Sequence, residues 1–218
     1  MLNRLNAIIA SETMVPSDKT LEKHQIRLIV RQRLSKMRPE EKAQRARSIV
    51  RRTQQFLMNR CIVAIGLYYP LADEPDIVPL IVWCLQRGMT VALPRIPPEK
   101  PFLEMKKITN LDADIEPGFL GIRQPSPWCP TVPLKALDTV IVPGRAFDPK
   151  GVRLGRGLGF YDRFLPLLRP DCLRIAVAYE VQIFSEIPAE DQDALVDIII
   201  TEERLIETER ERANETGD

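Results

Sequence analysis

Five short apolar runs, each set off by helix-patterned or turn-rich sequence, constrain this chain more than any other feature. They lie at residues 61–69, 90–94, 137–143, 173–179 and 195–201. Each is rich in Val, Ile, Leu and Ala rather than alternating apolar with polar, the pattern of strands covered on both faces. Between them the spacing predicts helices over 76–87, 160–168 and 180–184. The first two runs and the helix joining them make a β-α-β unit with parallel strands and a right-handed crossover. Ahead of the first run, Leu21, Ile26, Ile29, Val30, Leu34 and Met37 recur at intervals near three and four, predicting an amphipathic helix over 19–37 with Asp18 as its N-cap. Pro39-Glu40-Glu41 opens a second helix running to about Met58, with Pro at its first position and acids where the dipole favours them. The proline-rich stretch 97–133 predicts loops with one or two short strands, the first of them at 102–108. Together these predict a three-layer α/β/α single domain: an α/β fold with a mainly parallel, Rossmann-like sheet and an N-terminal helical pair. Residues 1–18 read as a flexible extension, 19–203 as the domain and 204–218 as a polar tail whose last dozen residues fray.

Composition narrows the classes. With 218 residues, 44% apolar and 28% charged, the chain can bury a real core and is not disordered as a whole. Its longest nearly uncharged apolar stretch, 61–72, is broken by Gly66 and Pro70 and falls short of the ~20 residues that cross a bilayer, so no membrane partner is expected. Cys61, Cys84, Cys129 and Cys172 are scattered and His24 is the only histidine, which argues against a structural zinc site and for reduced, mostly packed thiols. The start lacks a convincing secretory signal, and a cytoplasmic location is expected. Net charge is only +1, yet residues 23–60 hold twelve Lys and Arg against two acids, and residues 180–218 hold thirteen acids against three Arg. That asymmetry fits an anionic ligand near the first segment or two faces of opposite sign.

Chemistry concentrates after the third apolar run. Residues 143–162 contain five of the ten glycines, Gly144, Gly151, Gly155, Gly157 and Gly159. Glycine lets backbone amides turn toward a ligand without Cβ obstruction, and a loop leaving a strand and entering a helix near Phe160 gathers N–H groups and the helix dipole at one point, a site for phosphate. Arg153 and Arg156 supply fixed planar charge within the loop. Asp162, in the first turn of the helix, is placed to hold Mg²⁺ with phosphate oxygens. The loop is neither a Walker A sequence nor a dinucleotide fingerprint.

The full string Pro-Gly-x-Ala-Phe-Asp-x-x-Gly-x-Arg-Leu-Gly-x-Gly-x-Gly-Phe-Tyr-Asp-Arg-Phe-Leu resembles the signature of the 5-formyltetrahydrofolate cyclo-ligase family. Two other regions agree with it: Lys23-x-x-Ile-Arg27-x-x-Val-Arg31-x-Arg33 followed by Met37, Pro39, Glu40 and Glu41, and Tyr69-Pro-Leu-Ala-Asp-Glu74-Pro-Asp76 followed by Gly88 and Leu93-Pro-Arg95. The similarity covers about residues 20–203. It implies conversion of 5-formyltetrahydrofolate to 5,10-methenyltetrahydrofolate with ATP as co-substrate and Mg²⁺ as cofactor, yielding ADP and phosphate. It assigns ATP contacts to Lys23, His24, Gln25, Ile26 and Arg27 and to the loop Arg153, Leu154, Gly155, Arg156, Gly157, Leu158, Gly159, Phe160 and Tyr161. Folate contacts fall on Tyr69, Glu74, Arg156, Gly157, Leu158, Gly159 and Phe160, and magnesium on Asp162 and Asp197. Arg153, Arg156 and Tyr161 stand as the catalytic set.

These roles are chemically coherent. A formamide oxygen leaves poorly, and its phosphorylation lets the neighbouring N10 amine attack the activated carbon and close the ring. Phosphoryl transfer needs positioning and charge neutralisation rather than a protein nucleophile, so the lack of a His or Cys constellation is no objection. Glu74 offers acceptors to the N–H donors of a pterin. Phe160 stands where tyrosine is usual in the family, and Gln192 where many relatives have His. A catalytically altered folate- or nucleotide-binding paralogue therefore remains the alternative. Nucleic acid is not an expected partner, because the basic segment carries no known module pattern and Phe56 is its only aromatic residue. A monomer is the expected state.

Overall fold

The computed structural model describes residues 18–97, 102–118 and 121–209. Helices α1 (Asp18–Lys36), α2 (Pro39–Met58) and α3 (Val78–Gln86), the four-residue α4 (Leu111–Asp114) and α5 (Phe160–Phe164) accompany eleven strands. The strands are β1 (Ala64–Gly66), β2 (Thr90–Arg95), β3 (Glu104–Ile108), β4 (Ile115–Pro117), β5 (Arg123–Pro125), β6 (Thr139–Val142), β7 (Ala146–Phe147), β8 (Arg153–Leu154), β9 (Leu173–Val177), β10 (Ile198–Ile200) and β11 (Leu205–Glu207).

Seven of them form one sheet in the order β11-β10-β9-β6-β1-β2-β3. The five central strands are parallel, and β3 and β11 run antiparallel at the two edges. Both faces are covered, as the continuous apolar runs require. Ile65, Ile141, Ile175, Ile198 and Ile200 pack under α1, α2 and α3. Their neighbours Ala64, Val140, Val142, Ala176 and Ile199 face Phe147, Phe164, Leu165 and Leu168 on the other side, the two-residue alternation of extended chain. The result is the expected three-layer α/β fold.

Four local expectations change. The first run contributes only Ala64–Gly66 to the sheet, because after Leu67 N–H donates to Ala92 O the chain leaves at Tyr68 and Tyr69. On α1 the core side is Val30, Leu34 and Met37, with Lys23 also buried, while Leu21 and Ile29 are exposed; spacing alone selected too broad a face. The helices predicted over 160–168 and 180–184 shrink to α5 with one 3₁₀ turn, and to a single 3₁₀ turn at Glu180–Gln182. The polar segment from 204 begins with an unforeseen edge strand, β11, whose Leu205 pairs with Ile200. Most of the expected N-terminal extension, residues 1–17, and the end of the tail, 210–218, lie outside the described residues. Among those described, no helix is long and apolar enough to cross a membrane.

Strand order decides where a ligand can sit. From β1 the chain proceeds outward through β2 to β3, then returns to β6 on the other side of β1 and proceeds outward again through β9 and β10. The reversal falls between β1 and β6, and the crevice beyond their carboxyl ends is the binding position of open α/β sheets.

Candidate functional site

The glycine-rich segment leaves β6 into that crevice. Asp148, fully buried, accepts from the N–H groups of Lys150 (3.0 Å), Val152 (3.0 Å) and Ile187 (2.9 Å). Burial pushes its carboxyl above the usual range despite these bonds. The turn it ties joins β7 to β8 and delivers Arg153, whose Nη2 donates to Asp162 Oδ1 at 2.6 Å. Beyond Arg153 the chain bends through Gly157 (φ 100°) and Gly159 (φ 64°), backbone values that favour glycine. Gly159 then caps α5. With only five residues, α5 contributes less dipole than the long helix expected at this point, so the field at the loop comes chiefly from its arginines and amides.

One side of the loop is an apolar cleft with an empty volume of about 870 Å³ that includes the open solvent at its mouth. Tyr68, Tyr69, Leu71 and Glu74 from the turn after β1 line it opposite Pro143, Gly144, Phe160 and Tyr161. Ile96, Leu103 and Arg123 complete its outer wall, and the Arg123 guanidinium lies 4.9 Å from the Tyr69 ring centroid. Across the cleft, Arg156 donates to Glu74 at 3.0 Å and also pairs with Asp73, which pairs in turn with Arg145. Burial alone would raise the Asp73 carboxyl, but Arg156 and Arg145 hold it below its ordinary range. The Tyr161 phenol is pushed up by burial and by Glu74.

The other side is a polar cleft between the loop, α1 and the 190–193 turn. Lys23 and Arg27, four residues apart on α1, both face into it. Arg27 Nε donates to Gly155 O at 2.9 Å, and Lys23 Nζ reaches Asp193 at 2.7 Å and Glu190 at 2.8 Å. Burial opposes the Lys23 charge, yet these two carboxylates raise its pKa above the ordinary lysine value. Arg153, Gly155, Gly159 and Asp162 line both clefts, so the loop is a shared wall between an apolar chamber and a cationic one.

The residues expected from the sequence divide accordingly. Tyr69, Glu74, Arg156, Leu158, Gly159, Phe160 and Tyr161 line the apolar cleft, and Lys23, Arg27, Arg153, Leu154, Gly155, Gly157 and Asp162 the polar one or both. His24 and Gln25 are exposed on α1 and line neither cleft, while Ile26 packs against the core. Asp197 is not brought to the loop. It precedes β10 at the amino ends of the strands, is 2% exposed, and accepts from Arg174 N–H at 2.7 Å. Register sets it level with Arg174 and Val140, near the start of the parallel strands rather than at their carboxyl ends. Asp197 lines neither cleft, and the carboxylates that share the polar one with Asp162 are Glu190 and Asp193. Among the described residues no three His, Cys, Asp or Glu side chains cluster to hold a metal by themselves.

Sequence reasoning also missed Tyr68, Asp73, Arg145 and Gln182. The Gln182 side chain donates to Gly144 O (3.0 Å) and Arg145 O (2.9 Å) while accepting from Tyr179 N–H (2.9 Å), which ties the start of the loop to the end of β9. Asp73 lies within the Tyr69–Asp76 string without a role assigned by it, and Tyr68, Arg145 and Gln182 occupy no fixed position of a motif. Asp193 had one available signal, its place in the acidic stretch beside Gln192.

Comparison with known proteins agrees with this architecture. The family model described as the 5-formyltetrahydrofolate cyclo-ligase family matches residues 19–202. The 5-formyltetrahydrofolate cyclo-ligase of Mycolicibacterium smegmatis is 33% identical over 147 residues, 64% of this chain and 73% of that protein. A probable 5-formyltetrahydrofolate cyclo-ligase of Caenorhabditis elegans is 28% identical over 196 residues, covering 84% and 94%. Among solved structures, the Aquifex aeolicus 5,10-methenyltetrahydrofolate synthetase superposes with a TM-score of 0.75 at 27% identity, covering 86% of this chain and 93% of that one. With a family match over nearly the whole domain, and a fold and glycine loop that agree with it, the chain belongs to the 5-formyltetrahydrofolate cyclo-ligase family, a family of ligases.

Proposed function

We propose that the chain converts 5-formyltetrahydrofolate to 5,10-methenyltetrahydrofolate with consumption of ATP, the folate in the apolar cleft and the nucleotide in the polar one. The observation that carries this reading is the shared wall: one glycine loop, with Arg153 and Asp162, borders both chambers, so a group can pass between two ligands of unlike chemistry. A fused, largely apolar ring system with a few N–H donors suits Tyr69, Phe160 and the Glu74 carboxylate. A triphosphate suits Lys23, Arg27, Arg153 and the glycine amides.

In the reaction, the γ-phosphoryl group passes to the formyl oxygen and ADP leaves. N10 then attacks the formyl carbon, a C–N bond forms, the C–O bond breaks with loss of inorganic phosphate, and the N10 proton goes to solvent. The chain's task is alignment and charge neutralisation. Arg153, held by Asp162, is aimed from the shared wall, and Arg156 can exchange Glu74 and Asp73 for phosphate oxygens as folate takes over Glu74. Asp162 and Asp193 are the carboxylates suited to Mg²⁺, which takes few protein carboxylates alongside phosphate oxygens. When bound, the ion supplies neutralisation of phosphate charge. The test is to mix purified protein with 5-formyltetrahydrofolate and MgATP and follow the near-ultraviolet absorbance of the methenyl product. ATP-dependent growth of the band is expected; a flat trace with bound folate would instead select the paralogue that binds without turnover.

A further inference from the structure

In the apolar cleft most polar side chains are already engaged: Glu74 accepts from Leu71 N–H (3.0 Å) and Arg156, Gln124 accepts from Ile96 N–H (3.1 Å), and Asp162 accepts from Arg153. Tyr68 is different. It is 3% exposed, it lines the cleft, and its hydroxyl is buried with no hydrogen-bond partner among the described residues. An unmade hydrogen bond on a buried hydroxyl costs the desolvation of that group, whereas phenylalanine of the same shape would carry no such cost. The position is also pointed: Tyr68 is the first residue to turn out of the sheet after Leu67 bonds to β2, at the reversal of strand order where the cleft opens. Burial pushes the phenol well above the ordinary tyrosine range, so at neutral pH the hydroxyl keeps its proton and can donate a hydrogen bond.

Resting on the folate reading above, we infer that Tyr68 is a substrate-positioning residue whose hydroxyl donates a hydrogen bond to a carbonyl oxygen of the bound folate. Two oxygens share that chemistry, the pterin ring carbonyl and the N5-formyl carbonyl. In either case the bond fixes the ring's height in the cleft relative to Arg153, the other group there with a buried unpartnered nitrogen, its Nε.

The test is Tyr68→Phe, measured in three ways. Titration of 5-formyltetrahydrofolate without nucleotide should show a dissociation constant raised about tenfold, about 1.4 kcal/mol, with the KM for ATP within about twofold of wild type. Thermal melting of the ligand-free variant should occur at or above the wild-type temperature, which a structural role for the hydroxyl would not allow. Repeating the titration with 5-methyltetrahydrofolate, which keeps the ring carbonyl but has no formyl oxygen, separates the two acceptors: a tenfold loss there too assigns the ring carbonyl, and a loss confined to the formyl compound assigns the formyl oxygen. An unchanged constant in the variant, or a lowered ligand-free melting temperature, overturns the inference. If wild-type protein itself fails to bind 5-formyltetrahydrofolate, the functional reading falls, and the inference with it.

Discussion

At the scale of single residues, the two acids assigned to magnesium from the sequence separate into different jobs. Asp162 is in the site and Asp197 is a buried acceptor for the backbone of Arg174. Asp162→Asn should therefore shift the Mg²⁺ dependence of turnover to higher concentration, and Asp193→Asn should do the same. Asp197→Ala should leave that dependence unaltered while lowering unfolding free energy by about 1–3 kcal/mol, the cost of a buried donor left unpaired. Magnesium titrations of initial rate, paired with denaturant melts, check both halves. Arg153 offers a second contrast. Its guanidinium is 4% exposed and spans Asp162 and Pro143 O, a planar fork that a lysine point charge cannot reproduce. Arg153→Lys should reduce kcat by roughly a hundredfold, the size of a lost transition-state charge contact, with a folded protein by circular dichroism; unchanged kinetics would remove Arg153 from the reaction.

At the scale of elements, Gly157 serves the loop by backbone conformation, whereas a Cβ at Gly144 or Gly151 would run into Phe147 or Val196 O. A Cβ on Gly157 would meet nothing closer than Arg27 Nη2 at 4.0 Å, but its φ of 100° is strained for any other residue. Gly157→Ala should cost about 1–2 kcal/mol of stability or shift the loop to relieve it, and either outcome should cut turnover by more than the stability loss explains. The comparison of melting temperature with kcat decides the point. Helix α1 forms one wall of the polar cleft, and Lys23 ties it to Asp193 across 170 residues of sequence. The raised pKa of Lys23 means this tie contributes fully below the ordinary lysine value of 10.5 and is lost as pH rises through the higher folded value. Alkaline loosening of α1, followed by amide exchange, should be abolished as a distinct step in Lys23→Met.

At the scale of the whole molecule, ion pairs close the switch-point crevice from both sides of the sheet, and their acid limb is set by Asp73. Because Arg156 and Arg145 hold its carboxyl below the ordinary 3.8, its contribution is present above that value and disappears as pH falls through the depressed one. Wild-type stability should therefore drop more steeply than that of Asp73→Asn in melts run from about pH 6 down to pH 2. The overall plan was legible beforehand. Continuous apolar runs such as 173–179 announced strands buried on both faces, and the contiguous string from Pro143 to Leu165 carried the loop, Arg153, Arg156 and Asp162 in one piece. Local sequence determines such features because strand burial and loop conformation depend on neighbours in the chain. What only the tertiary structure decided is everything assembled across it: that Lys23 and Arg27 but not His24 and Gln25 face the polar cleft, that Asp193 and not Asp197 shares that cleft with Asp162, and that Tyr68, its buried hydroxyl unpartnered among the described residues, lines the apolar one. Those choices follow from strand order, which sets β6 beside β1, and from which end of a strand a residue occupies, and neither is written in spacing along the chain.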